Sequence, residues 1–295
     1  MKRRDFCNAT LTAGLLLGSP RFLRAIGADD TGGRPPRPAG LRTGIRDLDA
    51  MLGGLRPGEL VVLAGPSGAG KTCLAAQIAA HAAVGGGIPV AYLRAEDFGD
   101  DVRRLMACQL ACVDRGRERT GPASAGESRR LREAAETLRA APLAVDAWFR
   151  LHPEDFATLA RRRVREDGAR LLVVDSHPGL LASRDRGFAG RLRGLARELD
   201  VPVLALTQAR VPGELHGEAA TDRVLLLRRP AGGGREGGLQ TREVLAARHR
   251  AGTPERARLC FWSGPGRFFS GGLPAAVEGM FGIEGPAAVV RGRLP

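Results

Sequence analysis

The chain has 295 residues, 43% of them hydrophobic and 4% aromatic, with a net charge of +13. This is enough for one large α/β domain with extensions, built on an Ala, Leu and Val core, and it leaves no apolar run long enough to read as a transmembrane helix. Five cysteines (Cys7, Cys73, Cys108, Cys112 and Cys260) are odd in number and irregular in spacing, so they read as reduced, buried thiols rather than a disulfide framework or a zinc site. The basic balance has two readings. It favours a polyanionic partner such as nucleic acid or a membrane surface, or it reflects an arginine bias with many guanidinium groups simply solvated.

Residues 1–40 stand apart from the rest. Lys2-Arg3-Arg4-Asp5-Phe6 precedes a mildly apolar run, Ala9 to Gly18, and Ala25-Ile26-Gly27 offers a cleavage site. This resembles a twin-arginine export signal, covering residues 1–27. An exported nucleotide hydrolase would lack ATP, so the expectation is a cytoplasmic protein, with export as the alternative. Residues 29–40, rich in Gly, Pro and Arg, read as a linker.

The pattern becomes regular at Leu41. Thr43 to Asp49 opens a short helix, and Gly53 to Gly58 turns into an apolar strand at Leu60–Ala64. Gly65-Pro66-Ser67-Gly68-Ala69-Gly70-Lys71-Thr72 follows, and then an Ala-rich helix from Cys73 to Val84. Strand, glycine loop and helix is the setting of a phosphate-binding loop, and the spacing G-x-x-x-x-G-K-T is complete. Backbone N–H groups of such a loop ring a phosphate, and the helix N-terminus adds a positive dipole end. Lys71 would reach the β- and γ-phosphates, and the Thr72 hydroxyl would bind Mg²⁺. The only lysines of the chain are Lys2 and Lys71, so an arginine-biased sequence keeps a compact, flexible cation at this position.

Further along, Pro89–Leu93 is a strand, Asp100–Val113 a helix with an apolar stripe, Arg115–Ser128 a loose polar stretch, Arg129–Ala140 a helix and Leu143–Val145 a strand. Pro153–Asp167 is a helix with Pro in its first turn. Leu171-Leu172-Val173-Val174-Asp175 is a buried strand ending in a carboxylate, which suits a Walker B strand with Asp175 in the Mg²⁺ shell. Gly187–Leu199 is a helix and Val201–Leu206 a strand ending in Thr207-Gln208. Val224–Leu227, Glu243–Ala247 and Arg258–Phe261 read as later strands, with Gly232–Gly238 as a flexible hairpin loop. Strands alternating with helices predict an α/β fold, a mostly parallel central sheet with helices on both faces.

Taken together these residues resemble the RecA-like P-loop NTPase domain that forms the C-terminal motor of DnaB-type replicative helicases, over roughly Leu41 to Phe269. Thr43-Gly44-Ile45-Arg46-Asp47-Leu48-Asp49 is similar to the family's T-G-x-x-x-L-D. Leu93-Arg94-Ala95-Glu96 resembles its strand-end glutamate motif, which implies that Glu96 polarises the attacking water; Asp97 beside it is the alternative by one residue. Arg197 to Gln208 is similar to the segment that ends in a glutamine sensing the γ-phosphate, which points to Gln208. Ala247-Arg248-His249-Arg250-Ala251-Gly252 resembles K-x-R-x-G, whose two cations, here Arg248 and Arg250, reach the neighbouring subunit's γ-phosphate. Cys260-Phe261 and Arg267-Phe268 resemble the closing strand pair.

The resemblance implies ATP and Mg²⁺ as ligands, a homo-oligomeric ring, and single-stranded DNA as partner. Arg184 and Arg186 follow the Walker B strand where a channel loop would begin, so they are candidate phosphate contacts. The sequence departs from the family in carrying Arg248 for lysine, Ser176-His177-Pro178 after Asp175, and a short loop at Ala209–Thr221. Residues 1–40 do not replace the family's helical N-terminal domain. Two functions therefore stand: an ATP-driven motor on single-stranded DNA in replication or repair, and a RecA-like regulator or recombination mediator that unwinds nothing. The expected organisation is an extension at 1–40, an ATPase domain at 41–270 and a tail at 271–295.

Overall fold

Six apolar residues, Leu60–Gly65, form strand β1, and every one of them is buried. In a computed structural model, which describes residues 40–94, 99–116, 121, 123–147, 153–175, 187–209, 221–230, 235–236, 238–248 and 256–271, β1 sits near the middle of a ten-stranded sheet. The other strands are β2 (Val90–Arg94), β3 (Leu143–Ala147), β4 (Leu171–Asp175), β5 (Val203–Gln208), β6 (Arg223–Arg228), β7 (Arg235–Glu236), β8 (Leu239–Arg248), β9 (Arg256–Trp262) and β10 (Arg267–Ser270). Their order is β10-β9-β8-β6-β1-β5-β4-β2-β3, with β7 pairing β8 to one side. Strands β1 to β6 run parallel. Beyond β6 the sheet continues antiparallel through β8, β9 and β10.

Alternate residues of a strand point to opposite faces, and β1 shows what this produces. Val61 and Leu63 belong to one apolar cluster, Leu60 and Val62 to another. The first cluster is covered by helices α1 (Arg46–Leu52), α2 (Lys71–Ala80), α3 (Gly99–Ala111) and α4 (Ala125–Ala140). The second is covered by α5 (Pro153–Arg165) and α6 (Gly187–Leu199). The parallel half thus buries both faces, as sheets of this kind require, and the predicted α/β architecture is the one observed.

Local chemistry explains several boundaries. The Asp49 carboxylate accepts from the Thr43 N–H at 2.6 Å, the Thr43 hydroxyl at 2.8 Å and the Gly44 N–H at 3.2 Å. The T-G-x-x-x-L-D spacing is therefore a clasp that ties α1 to the chain leading into it. Helix α2 carries on as a π-helical turn, His81–Gly85, so the Ala-rich run is one continuous element with a widened end. At the sheet's antiparallel edge, the Gln77 side chain of α2 donates to the Phe268 carbonyl at 2.9 Å and accepts from its N–H at 2.8 Å.

Two expectations are corrected. Helix α4 begins at Ala125, inside the stretch read as loose, because Ser124 caps it: the Ser124 hydroxyl accepts from the Glu127 N–H and Glu127 accepts from the Ser124 N–H. The stretch read as a hairpin loop contains β7, whose Arg235 and Glu236 pair with Gln240 and Leu239. The cysteines Cys73, Cys108, Cys112 and Cys260 are free thiols. Among the described residues no helix is long and apolar enough to cross a membrane.

Candidate active site

In an open parallel sheet, ligands bind at the carboxyl ends of the strands. Four of those ends lie side by side here. Register pairs Gly65 of β1 with Gln208 of β5, Leu206 of β5 with Asp175 of β4, and Asp175 with Arg94 of β2. A cavity of about 380 Å³ opens over them, lined by the glycine loop through Thr72 and by Arg94, Asp175 and Gln208. The volume falls in the range of small-molecule clefts.

The loop leaves β1 at Gly65 and enters α2 at Lys71. Gly68 and Gly70 both take the left-handed region, with φ of 72° and 102°, where a side chain would be strained. A methyl group at Gly68 would meet nothing within 4 Å, whereas at Gly70 it would lie 3.0 Å from the Phe268 ring. One side of the loop is open and the other is pressed against aromatic residues. Lys71 Nζ donates to the carbonyls of Gly65 at 2.9 Å and Pro66 at 3.0 Å. Burial lowers the Lys71 pKa, and the nearby Asp175 carboxylate opposes that shift.

Asp175 is reached from β2 by Tyr92, whose hydroxyl donates to Asp175 Oδ2 at 3.0 Å. Tyr92 is fully buried, and burial, more than the adjacent carboxylate, pushes its pKa well above the ordinary phenol value. It remains a donor at any physiological pH. Thr72 and Asp175 offer a hydroxyl and a carboxylate to one cavity. Hard oxygen donors of this kind, few in number and supplemented by phosphate, suit Mg²⁺.

The antiparallel strands back the loop. Arg242 of β8 is 1% exposed. It donates through Nε to the Ala69 carbonyl at 3.1 Å and through Nη2 to Gln240 at 2.7 Å, and its guanidinium stacks 4.9 Å from the centre of the Phe261 ring. Phe261 in turn packs on Phe268 at 4.5 Å between ring centres. Arg267 is also buried; it donates to the Gln109 carbonyl at 2.8 Å and lies over Phe269. Arg223 donates to the carbonyls of Leu52 and Gly54 and pairs with Glu59. Neither reading of the arginine excess anticipated these buried, structural guanidinium groups.

The structure therefore brings Ser67, Gly68, Gly70, Lys71, Thr72, Asp175 and Gln208 to one cavity, while Gly65, Pro66 and Ala69 belong to the same loop without lining it. Arg248 ends β8, and its backbone alone is described. Glu96, Asp97, Arg184, Arg186 and Arg250 lie outside the described residues. Sequence reasoning missed Tyr92, Arg94 and Arg242. Arginine has no contrast in an arginine-rich chain, and a tyrosine within an apolar strand reads as core.

Fold and loop together define a nucleotide-binding α/β protein of the P-loop type. Residues 40–270 match the model of the DnaB-like helicase C-terminal domain, and the chain belongs to that family. Two replicative DNA helicases DnaB are similar to it. That of Synechocystis is 31% identical over 57% of this chain and 20% of its own length, and that of Buchnera aphidicola from Schizaphis graminum is 32% identical over 57% of this chain and 38% of its own. Across these two relatives the chain thus covers well under half of the protein matched. A solved DnaB-like replicative helicase, described with its primase interactions, superposes with a TM-score of 0.70 at 19% identity, over 80% of this chain and 62% of its own. That likeness shows a shared RecA-like fold.

Proposed function

We propose that residues 41–270 form an ATP-hydrolysing motor of the DnaB type that acts on single-stranded DNA in replication or repair, with 1–40 as an extension and 271–295 as a tail. The observation that carries this is the convergence of the complete phosphate loop, Asp175 and Gln208 on one cavity at the carboxyl ends of adjacent strands. The family match over residues 40–270 supports it.

In this reading the loop amides from Ser67 to Thr72 hold the β-phosphate, and Lys71 places its charge against the transferring phosphoryl oxygens. Thr72 and Asp175 would hold Mg²⁺, which would supply charge neutralisation for phosphoryl transfer. Glu96 accepts the proton of the attacking water. Gln208, beside Gly65, senses the γ-phosphate. Arg248 and Arg250 act on the neighbouring subunit of a head-to-tail ring, a contact that closes if the rotation does. Arg184 and Arg186 contact the strand, so binding weakens with salt as counterions are released.

The second reading, a RecA-like regulatory or recombination-mediator ATPase that binds partner proteins and unwinds nothing, is favoured by Ser176-His177-Pro178 and Arg248 at positions where the resemblance expects other residues. One assay separates them: ATP hydrolysis with and without a single-stranded oligonucleotide, for the wild type and Lys71→Ala. Lys71→Ala abolishes turnover in both readings. Strong stimulation by DNA supports the motor, and unchanged turnover supports the regulator. Normal turnover in Lys71→Ala defeats both. We place the protein in the cytoplasm; fractionation showing it outside the membrane would turn residues 1–27 into a working export signal.

A further inference from the structure

The chain has a single tyrosine against ten phenylalanines. It stands in β2 with no solvent exposure, inside the cluster formed by Val61, Val90, Val173 and Leu204. Phenylalanine would fill that space without burying a hydroxyl, a group that destabilises the fold when it lacks a partner. The hydroxyl has a partner: it donates to Asp175 Oδ2 at 3.0 Å. β2 and β4 are adjacent, and register sets Arg94 opposite Asp175, so Tyr92 reaches the carboxylate diagonally from two residues back.

From this we infer that Tyr92 is a positioning residue for Asp175, holding one carboxylate oxygen so that the group meets nucleotide-bound Mg²⁺ in a fixed orientation. The inference rests on the proposed metal role of Asp175. A hydrogen bond from hydroxyl to carboxylate is charge-assisted and stronger than one between neutral groups, and the aliphatic packing around the ring leaves it few other rotamers. Outer-shell donors of this kind change metal affinity by roughly 10–100-fold when removed.

The test reads Mg²⁺ rather than turnover. Binding of a fluorescent ADP analogue is titrated with Mg²⁺ in wild type, Tyr92→Phe and Asp175→Asn. Tyr92→Phe is expected to raise the half-saturating Mg²⁺ concentration about 10-fold, with nucleotide affinity in EDTA unchanged. A role confined to packing would leave the Mg²⁺ midpoint where it is. Coincident midpoints for wild type and Tyr92→Phe, with Asp175→Asn displaced, overturn the inference. An unmoved midpoint in Asp175→Asn overturns the metal role of Asp175 itself, and the inference with it.

A second measurement covers a variant that fails to fold. The lone tyrosine gives one signal when the chain carries ¹³Cζ-tyrosine. In the ADP complex this signal is expected to shift on adding Mg²⁺ in the wild type and to stay fixed in Asp175→Asn. A wild-type signal that ignores Mg²⁺ overturns the inference.

Discussion

The two halves of the sheet are built from different materials. In the parallel half, β1 to β6, buried positions are mostly Val, Leu and Ala, with Arg223 at the start of β6 the buried guanidinium, and stability comes from apolar area on both faces. In the antiparallel half, β8 to β10, the interior holds Arg242 and Arg267 together with Phe261, Trp262, Phe268 and Phe269. The glycine loop lies at the seam. The parallel half supplies its strand and the carboxylate beside it; the antiparallel half supplies the carbonyl clamp and the aromatic floor. Apolar packing fixes where strands lie but leaves a loop carbonyl unsatisfied. A guanidinium fork, rigid and with five donors, orients it.

One pair of substitutions breaks the halves separately. Leu204→Ala, in the parallel half, is expected to cost about 2–5 kcal/mol through the cavity it leaves, read from a denaturant midpoint, with nucleotide affinity of the folded protein unchanged. Arg242→Met is expected to cost roughly 2–4 kcal/mol, because hydrogen bonds to a charged group are lost within a packed interior. It should also weaken nucleotide binding several-fold, since the Ala69 carbonyl loses its donor. If both variants bind nucleotide like the wild type, the clamp does nothing for the loop.

A finer contrast lies within the loop. Gly68→Ala should cost about 1–2 kcal/mol for its left-handed backbone. Gly70→Ala, at φ 102° and so further from the left-handed well, carries more strain and also drives a methyl group against Phe268, so its melting temperature should fall further. Equal melting temperatures would mean that the aromatic floor yields freely.

The smallest effect concerns pH and sits in the parallel half. Burial lowers the His81 pKa, with Asp49 opposing and Arg42 and Arg267 adding to the shift. The sign follows from linkage: below pH 6.5 the unfolded chain takes up a proton that the folded chain resists, so stability falls as the pH drops toward the folded value. Asp49, raised mainly by burial, pulls the other way at lower pH. Urea midpoints at several values between neutral and mildly acidic pH should fall less in His81→Gln than in the wild type; parallel declines would exclude His81 as the source.

The parallel half was largely legible in the sequence. Leu171–Asp175 and Gly187–Leu199 coincide with the observed elements, because an apolar run ended by a carboxylate and a 3.6-residue stripe are local signals. The glycine loop was legible for the same reason. The start of α4 carried a signal too, Ser124 and Glu127 three apart, that the surrounding polarity hid. The antiparallel half was not legible in its energetics. Whether an arginine is solvated or locked against a carbonyl 173 residues away, as Arg242 is, depends on tertiary placement that no periodicity records.

Gln77 has one further consequence. A sheet's last strand presents unpaired backbone groups that can template another chain. By meeting both the N–H and the carbonyl of Phe268, one side-chain amide occupies one of the backbone pairs through which β10 would recruit a foreign strand. The same helix that begins in the phosphate loop thereby blunts the open margin of the sheet at its centre, and loosening that helix would free that pair for a foreign strand.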